Sequence, residues 1–176
     1  GEFFGPQRPE IFGFLDSLEV VAINTPGLEF LEGTYFWEGN PRHAQANQSD
    51  FDKNFRAAVG VNDMGASIAD PKDISTYSHM FSCWETLNVI KKGMEMSGYK
   101  GPDDRQSLIE AVESMTSFAH SDDHPQGAKQ MNGKTHQVFG HQYISKVTNG
   151  KLVVGHTTAI EDGFYEDAVD YTKQSF

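Results

Sequence analysis

The stretch FGFLDSLEVV, residues 12–21, sets a carboxylate directly after an apolar run. An Asp where a strand passes into a helix can do two kinds of work. As an N-cap, Asp16 satisfies free backbone N–H groups and contributes about 1 kcal/mol. As a ligand group it stands beyond the carboxyl end of a strand, where open α/β sheets hold their ligands. Phe14, Leu15 and Ser17 flank it and would share either role. A second cluster tempts a metal reading: His120 and His124 bracket Asp122 and Asp123, and His136 and His141 follow. Such a set can ligate zinc. The His120/His124 spacing serves only on a helix, however, and Pro125 and Gly127 mark a loop. No cysteine stands nearby, so solvated loop residues and no bound metal are expected. The lone cysteine, Cys83, falls in the middle of a helical pattern and reads as a small buried hydrophobe. There is no nucleophile elbow, phosphate loop or dinucleotide fingerprint, so neither an enzyme nor a cofactor is expected. Asn47-Gln48-Ser49 fits a glycosylation sequon, a triplet short enough to arise by chance.

The elements that must position these residues come from a chain of 176 residues, 38% hydrophobic and 12% aromatic, with a formal net charge of -11 and a pI of about 4.9. That composition supports a globular core. Its charge opposes a phosphate backbone, so no nucleic-acid partner is expected. One cysteine permits no internal disulfide. No apolar run is long enough to span a bilayer. The first residues, GEFFGPQRPE, lack the basic start and apolar middle of a signal peptide. They also lack Met and run into a strand within ten residues, which leads to the expectation of a processed or truncated chain.

Along the chain, residues 10–15 read as a strand and a helix is expected from Asp16 to the Thr25-Pro26-Gly27 break. GTYFW, residues 33–37, reads as a second strand. Residues 38–50 are a polar connector, and Phe51, Phe55 and Val59 predict a helix over 50–59. After a loop at 60–73, the strongest helix spans 74–97. Ile74, Tyr77, Phe81, Trp84, Leu87, Ile90 and Met94 form one apolar stripe on it, and Gly98 closes it. Gly101-Pro102-Asp103 opens another helix, with Leu108, Val112 and Met115 on one face. Residues 119–135 are polar and irregular. Asn149-Gly150 between two β-prone runs predicts a hairpin with a type I′ turn. A last helix is expected near 164–173. Two parallel-type strands and a distant hairpin make a poor sheet by themselves, so the chain reads as incomplete.

This order of elements resembles the C-terminal half of a type I periplasmic solute-binding protein of an ABC importer, in the branched-chain amino acid binding class. FGFLDS is similar to the last βα turn of that family's second lobe, and LEGTYFWEGN to the strand that returns toward its hinge. STYSHMFSCWETLNVIKKGMEMSG resembles the long helix of the first lobe, DRQSLIEAVESM the helix after it, and HQVFGHQYISKVTNGKLVV the closing strands. Together the matches run almost the whole length. The family's N-terminal half has no counterpart. Ser78, Cys83 and Thr86 stand where the family often has alanines, and residues 116–135 depart from its pattern.

The resemblance implies the C-terminal part of a two-lobed α/β fold with three-layer α/β/α lobes. Residues 1–39 and 136–176 would belong to the second lobe and 40–135 to the first. It implies a small amino-acid-like or carboxylate solute in the cleft. Asp16 would hold its ammonium, Ser17, Phe14 and Leu15 would stand beside it, and Tyr77 would line the apolar end. Tyr35 and Trp37 would sit near the hinge. It implies a membrane permease as partner, a periplasmic or extracellular location, and either the missing N-terminal half or an exchanged second copy as companion. Two rival readings stand beside it: a metal-binding or enzymatic domain built on residues 120–141, and a ligand-sensing module with the same fold.

Overall fold

The structure, a computed structural model, describes residues 10–14, 29–39, 41, 49–63, 65, 67–70, 77–164 and 169–173. Leu15, Asp16 and Ser17 and the helix expected after them lie outside the described residues. Phe14 and Tyr77 are described by backbone alone. The fold is mixed α/β. The chain forms two compact units and passes between them three times: residues 1–77 and 142–157 make the first, and 78–141 and 158–176 the second. The lobe ranges implied by the resemblance are a different partition of the chain.

In the first unit, β1 (Phe12–Phe14) pairs in parallel with β2 (Tyr35–Glu38). β2 pairs antiparallel with β6 (Tyr143–Thr148), and β6 with β7 (Lys151–Thr157), giving the sheet order β1-β2-β6-β7. The hairpin expected to stand apart therefore completes the same sheet. Its turn is the one expected: Asn149 and Gly150 both have positive φ, 53° and 69°, as a type I′ turn requires. The Glu32 carboxylate accepts from both turn amides at 3.1 Å, tying the hairpin to the turn before β2. Phe36, Val147 and Leu152 form the core on one face of this sheet, with Leu31 against them. α1 (Asp50–Val59) matches its expected range. Ser49 caps it, accepting from the Asp52 amide at 3.1 Å, and Gly60 ends it in the left-handed region at φ 73°.

In the second unit, α2 (Tyr77–Ser97) is followed by α3 (Arg105–Glu113). A three-stranded antiparallel sheet then forms from β3 (Ser117–Phe118), β4 (Lys129–Asn132) and β5 (Gln137–Gly140). Residues 119–135, expected to be irregular, thus contribute a strand. The last helix is not continuous: short 3-10 turns occupy Ile160–Gly163 and Tyr171–Lys173, and 165–168 lie outside the described residues.

The packing of α2 corrects the expected stripe. Phe81, Glu85 and Gly93 are buried and Val89 is half-buried. At about 100° per residue these positions sweep one side of the helix. Leu87 and Met94 are exposed and fall on the opposite side; Trp84 and Ile90, also exposed, stand at its margins, Trp84 donating to the Asp122 carbonyl at 2.8 Å and Ile90 bordering the space between α2 and the three-stranded sheet. α2 therefore carries apolar residues on two faces, of which the described residues cover one. Cys83 is exposed rather than buried, because it stands about 200° around the helix from Phe81. Leu108 and Val112 of α3 lie close over Gly93, and a Cβ built there would approach Val112 Cγ2 to 2.7 Å.

Candidate functional site

Parallel strands present their carboxyl ends on one side, and a ligand site of an open α/β sheet belongs there. Here that side is reached at Phe14 of β1 and Glu38 of β2, since the register pairs Phe14 with Trp37. β2 alternates as a half-buried Tyr35, a buried Phe36, an exposed Trp37 and a buried Glu38. Glu38 thus shares the inward parity of Phe36, and the large indole points out instead. On β6, Ser145 pairs across from Phe36 and Tyr143 from Glu38, so these side chains share that face. The β6–β7 ladder shifts register between Ile144 and Ser145. Irregularities of this kind re-aim side chains and gather near functional sites.

Glu38 is fully buried, at 0% exposure. The Ser145 hydroxyl donates to its Oε2 at 2.6 Å, while Oε1 has no hydrogen-bond partner among the described residues. Burial pushes the carboxyl up to about 7, and the Ser145 hydroxyl offsets part of that rise. Burial also raises the Tyr143 phenol. A carboxyl of this kind changes charge near neutrality and keeps one oxygen for a further donor. Proton transfer or recognition of an N–H or O–H group are the chemistries open to it. The sequence reading missed Glu38 and placed it in the polar connector. Its signal was the two-residue parity with Phe36, which assigns it inward once the strand is extended by one residue.

Of the residues expected in the site, Phe14 ends β1 and Tyr77 is the first residue of α2. Asp16, Ser17 and Leu15 lie outside the described residues. The histidines do not converge. His124 is buried with its ring 4.7 Å from Phe118. His136 Nε2 stands 2.7 Å from Glu113 Oε1, and His141 Nδ1 2.8 Å from the Thr158 carbonyl. Among the described residues no group of three or more His, Cys, Asp or Glu could hold a metal ion. No described helix is long and apolar enough to cross a membrane.

No protein-family model matches the chain. No curated protein matches it either. Among solved structures, the chain is similar to the solute-binding protein of an ABC transporter from R. palustris, solved in complex with benzoate. The identity is 18% and the TM-score 0.47, covering 80% of this chain and 32% of that one. The chain thus spans about a third of the length of that protein.

Proposed function

We propose that this chain is part of the substrate-binding protein of an ABC importer. In this reading the whole protein captures a small amino-acid-like or carboxylate solute in the cleft of a two-lobed fold and delivers it to a membrane permease. It works in the periplasm or outside the cell and performs no covalent chemistry.

The observation that carries the reading is the path of the chain. A parallel strand pair ends beside FGFLDS, the chain leaves for a second compact unit, and it returns as a hairpin that extends the same sheet. That path agrees with the five motifs whose order suggested the family. Asp16 holds the cationic group of the solute, flanked by Ser17, Phe14 and Leu15, and Tyr77 shapes the apolar end. Glu38 adds a buried carboxyl at the same strand ends.

The test is a thermal-shift and calorimetric panel of amino acids and small carboxylates, run on this chain and on the longer protein containing it. A true ligand at a hundredfold excess over Kd stabilises by about 2.7 kcal/mol, roughly 5–10 °C for a chain of this size. Asp16→Asn should weaken binding of the same ligand by tenfold or more. If no member of the panel raises the melting temperature of either protein, the reading fails.

A further inference from the structure

A groove is lined wholly by residues of the second unit. α2 forms one wall through Glu85, Val89 and Ile90, and the three-stranded sheet forms the other through Phe118, Met131 and Val138. Its volume is about 330 Å³, at the small end of the range for ligand pockets.

The charged groups in it are already committed to each other. Glu85 is buried and takes the Lys129 ammonium at 2.6 Å on Oε2 and the Gln126 amide at 2.7 Å on Oε1. The Gln126 side chain donates to Ser82 Oγ at 3.0 Å. These contacts cancel the charge and leave no ion for a charged guest to pair with.

His124 is the exception. It lines the groove and is only 9% exposed. Its backbone is fixed by reciprocal bonds with Ser121, 3.0 and 3.4 Å, and its ring stands against Phe118. Burial holds the imidazole below its ordinary protonation range, with Glu85 opposing and Lys129, Asp123 and Lys92 as the other charges that act on it. No described residue hydrogen-bonds either ring nitrogen. An imidazole without a described hydrogen-bond partner therefore borders a groove whose apolar wall is Val89, Ile90, Phe118, Met131 and Val138 and whose polar groups, Glu85, Lys129, Gln126 and Ser82, are paired with one another. A ligand hydroxyl that pairs a ring nitrogen there gains one hydrogen bond, about tenfold in affinity.

We propose that this groove binds a small uncharged aromatic molecule bearing one hydroxyl, of the phenol class, with the hydroxyl paired to His124 and the ring between α2 and the sheet. The solute reading for the strand ends neither supplies nor requires this second site.

The test is an NMR titration of the 176-residue chain with p-cresol, and with toluene as the same shape without the hydroxyl. The expected result is saturable millimolar binding, with shifts at the His124 ring and at the Val89, Ile90 and Val138 methyls. Toluene should bind about tenfold more weakly, the factor one hydrogen bond gives. His124→Phe should lose a similar factor for p-cresol and erase the preference over toluene. Val138→Glu, at a half-exposed strand position that tolerates the change, should abolish binding with the fold intact. Absence of saturable shifts at these positions overturns the proposal. So does a His124→Phe protein that keeps the preference for p-cresol, or binding that maps to residues 10–38.

Discussion

Glu38 is the residue at which this sequence most departs from ordinary strand chemistry. A fully buried carboxyl with one oxygen unpaired persists only if it is neutral or if something else compensates it. Its protonation range is raised from 4.5 to about 7 by burial. The unfolded chain releases this proton near 4.5 while the folded chain keeps it until about 7. Between those values the unfolded state binds fewer protons, so stability falls as pH rises, and it levels off above 7. The shift corresponds to a loss on the order of 3 kcal/mol across the window. Glu38→Gln keeps the size and the Ser145 contact but cannot ionise. Denaturant unfolding at pH 5 and at pH 7.5 should show the wild type losing stability at the higher pH and the variant losing much less. Equal losses in both proteins would mean that other groups set the dependence. Glu38 also shows why part of the site was hidden in the sequence. Composition marks an acid beside Gly39 and Asn40 as connector. Only the pairing with Tyr143, which extends β2 through Glu38, gives it the parity with Phe36 that turns it inward. Asp16, singled out in the sequence because an Asp after an apolar run suits a helix cap, lies outside the described residues.

Elements were legible where local chemistry decides them. Asn149-Gly150 fixes its own turn, since few other residue pairs adopt two positive φ values cheaply. Ser49 and Gly60 bracket α1 for similar reasons. β4 was not legible: in Lys129–Asn132 every residue is half-buried, so the alternation that reveals a strand is absent. Its existence depends on pairing with β3 and β5, which no local window contains. The seam between α2 and α3 gives a test at this scale. Gly93 lies in a helix interior, where Ala would ordinarily stabilise by up to about 1 kcal/mol. Here the added methyl would meet Val112 Cγ2 at 2.7 Å and Leu108 Cδ1 at 3.1 Å. Overpacking of this kind costs about 1–3 kcal/mol. Gly93→Ala should therefore destabilise the protein, by roughly 1–2 kcal/mol net, in chemical denaturation. A stabilised variant would mean that the seam is looser than this geometry. Gly93→Ala combined with Val112→Ala should recover part of the loss.

At the scale of the whole molecule, the two-faced helix is the feature with the widest consequence. α2 packs Phe81, Glu85 and Gly93 into its own unit and leaves Leu87 and Met94 exposed, Leu87 at 65%, with the partly exposed Trp84 and Ile90 at the margins. The sequence displayed this stripe clearly, but periodicity reports that a face is apolar, not which partner covers it. A helix apolar on both sides is characteristic of a buried element, and contiguous exposed apolar surface marks contact sites. Covering one Leu side chain contributes about 2 kcal/mol, enough to shift an association constant more than tenfold. The chain should therefore associate through this face, either with a second copy or with a companion polypeptide that supplies the cover. The net charge of -11 opposes pairing of two copies at low ionic strength, so added salt should strengthen self-association. Sedimentation velocity over a concentration series, at low and at moderate salt, reads both effects, and native mass spectrometry separates a second copy from a foreign companion. Leu87→Glu should return the chain to monomer, or release the companion, with its circular dichroism unchanged. A wild-type chain that stays monodisperse and unaccompanied at every concentration and salt would show that this face needs no cover, and the fragment reading would lose its physical motive.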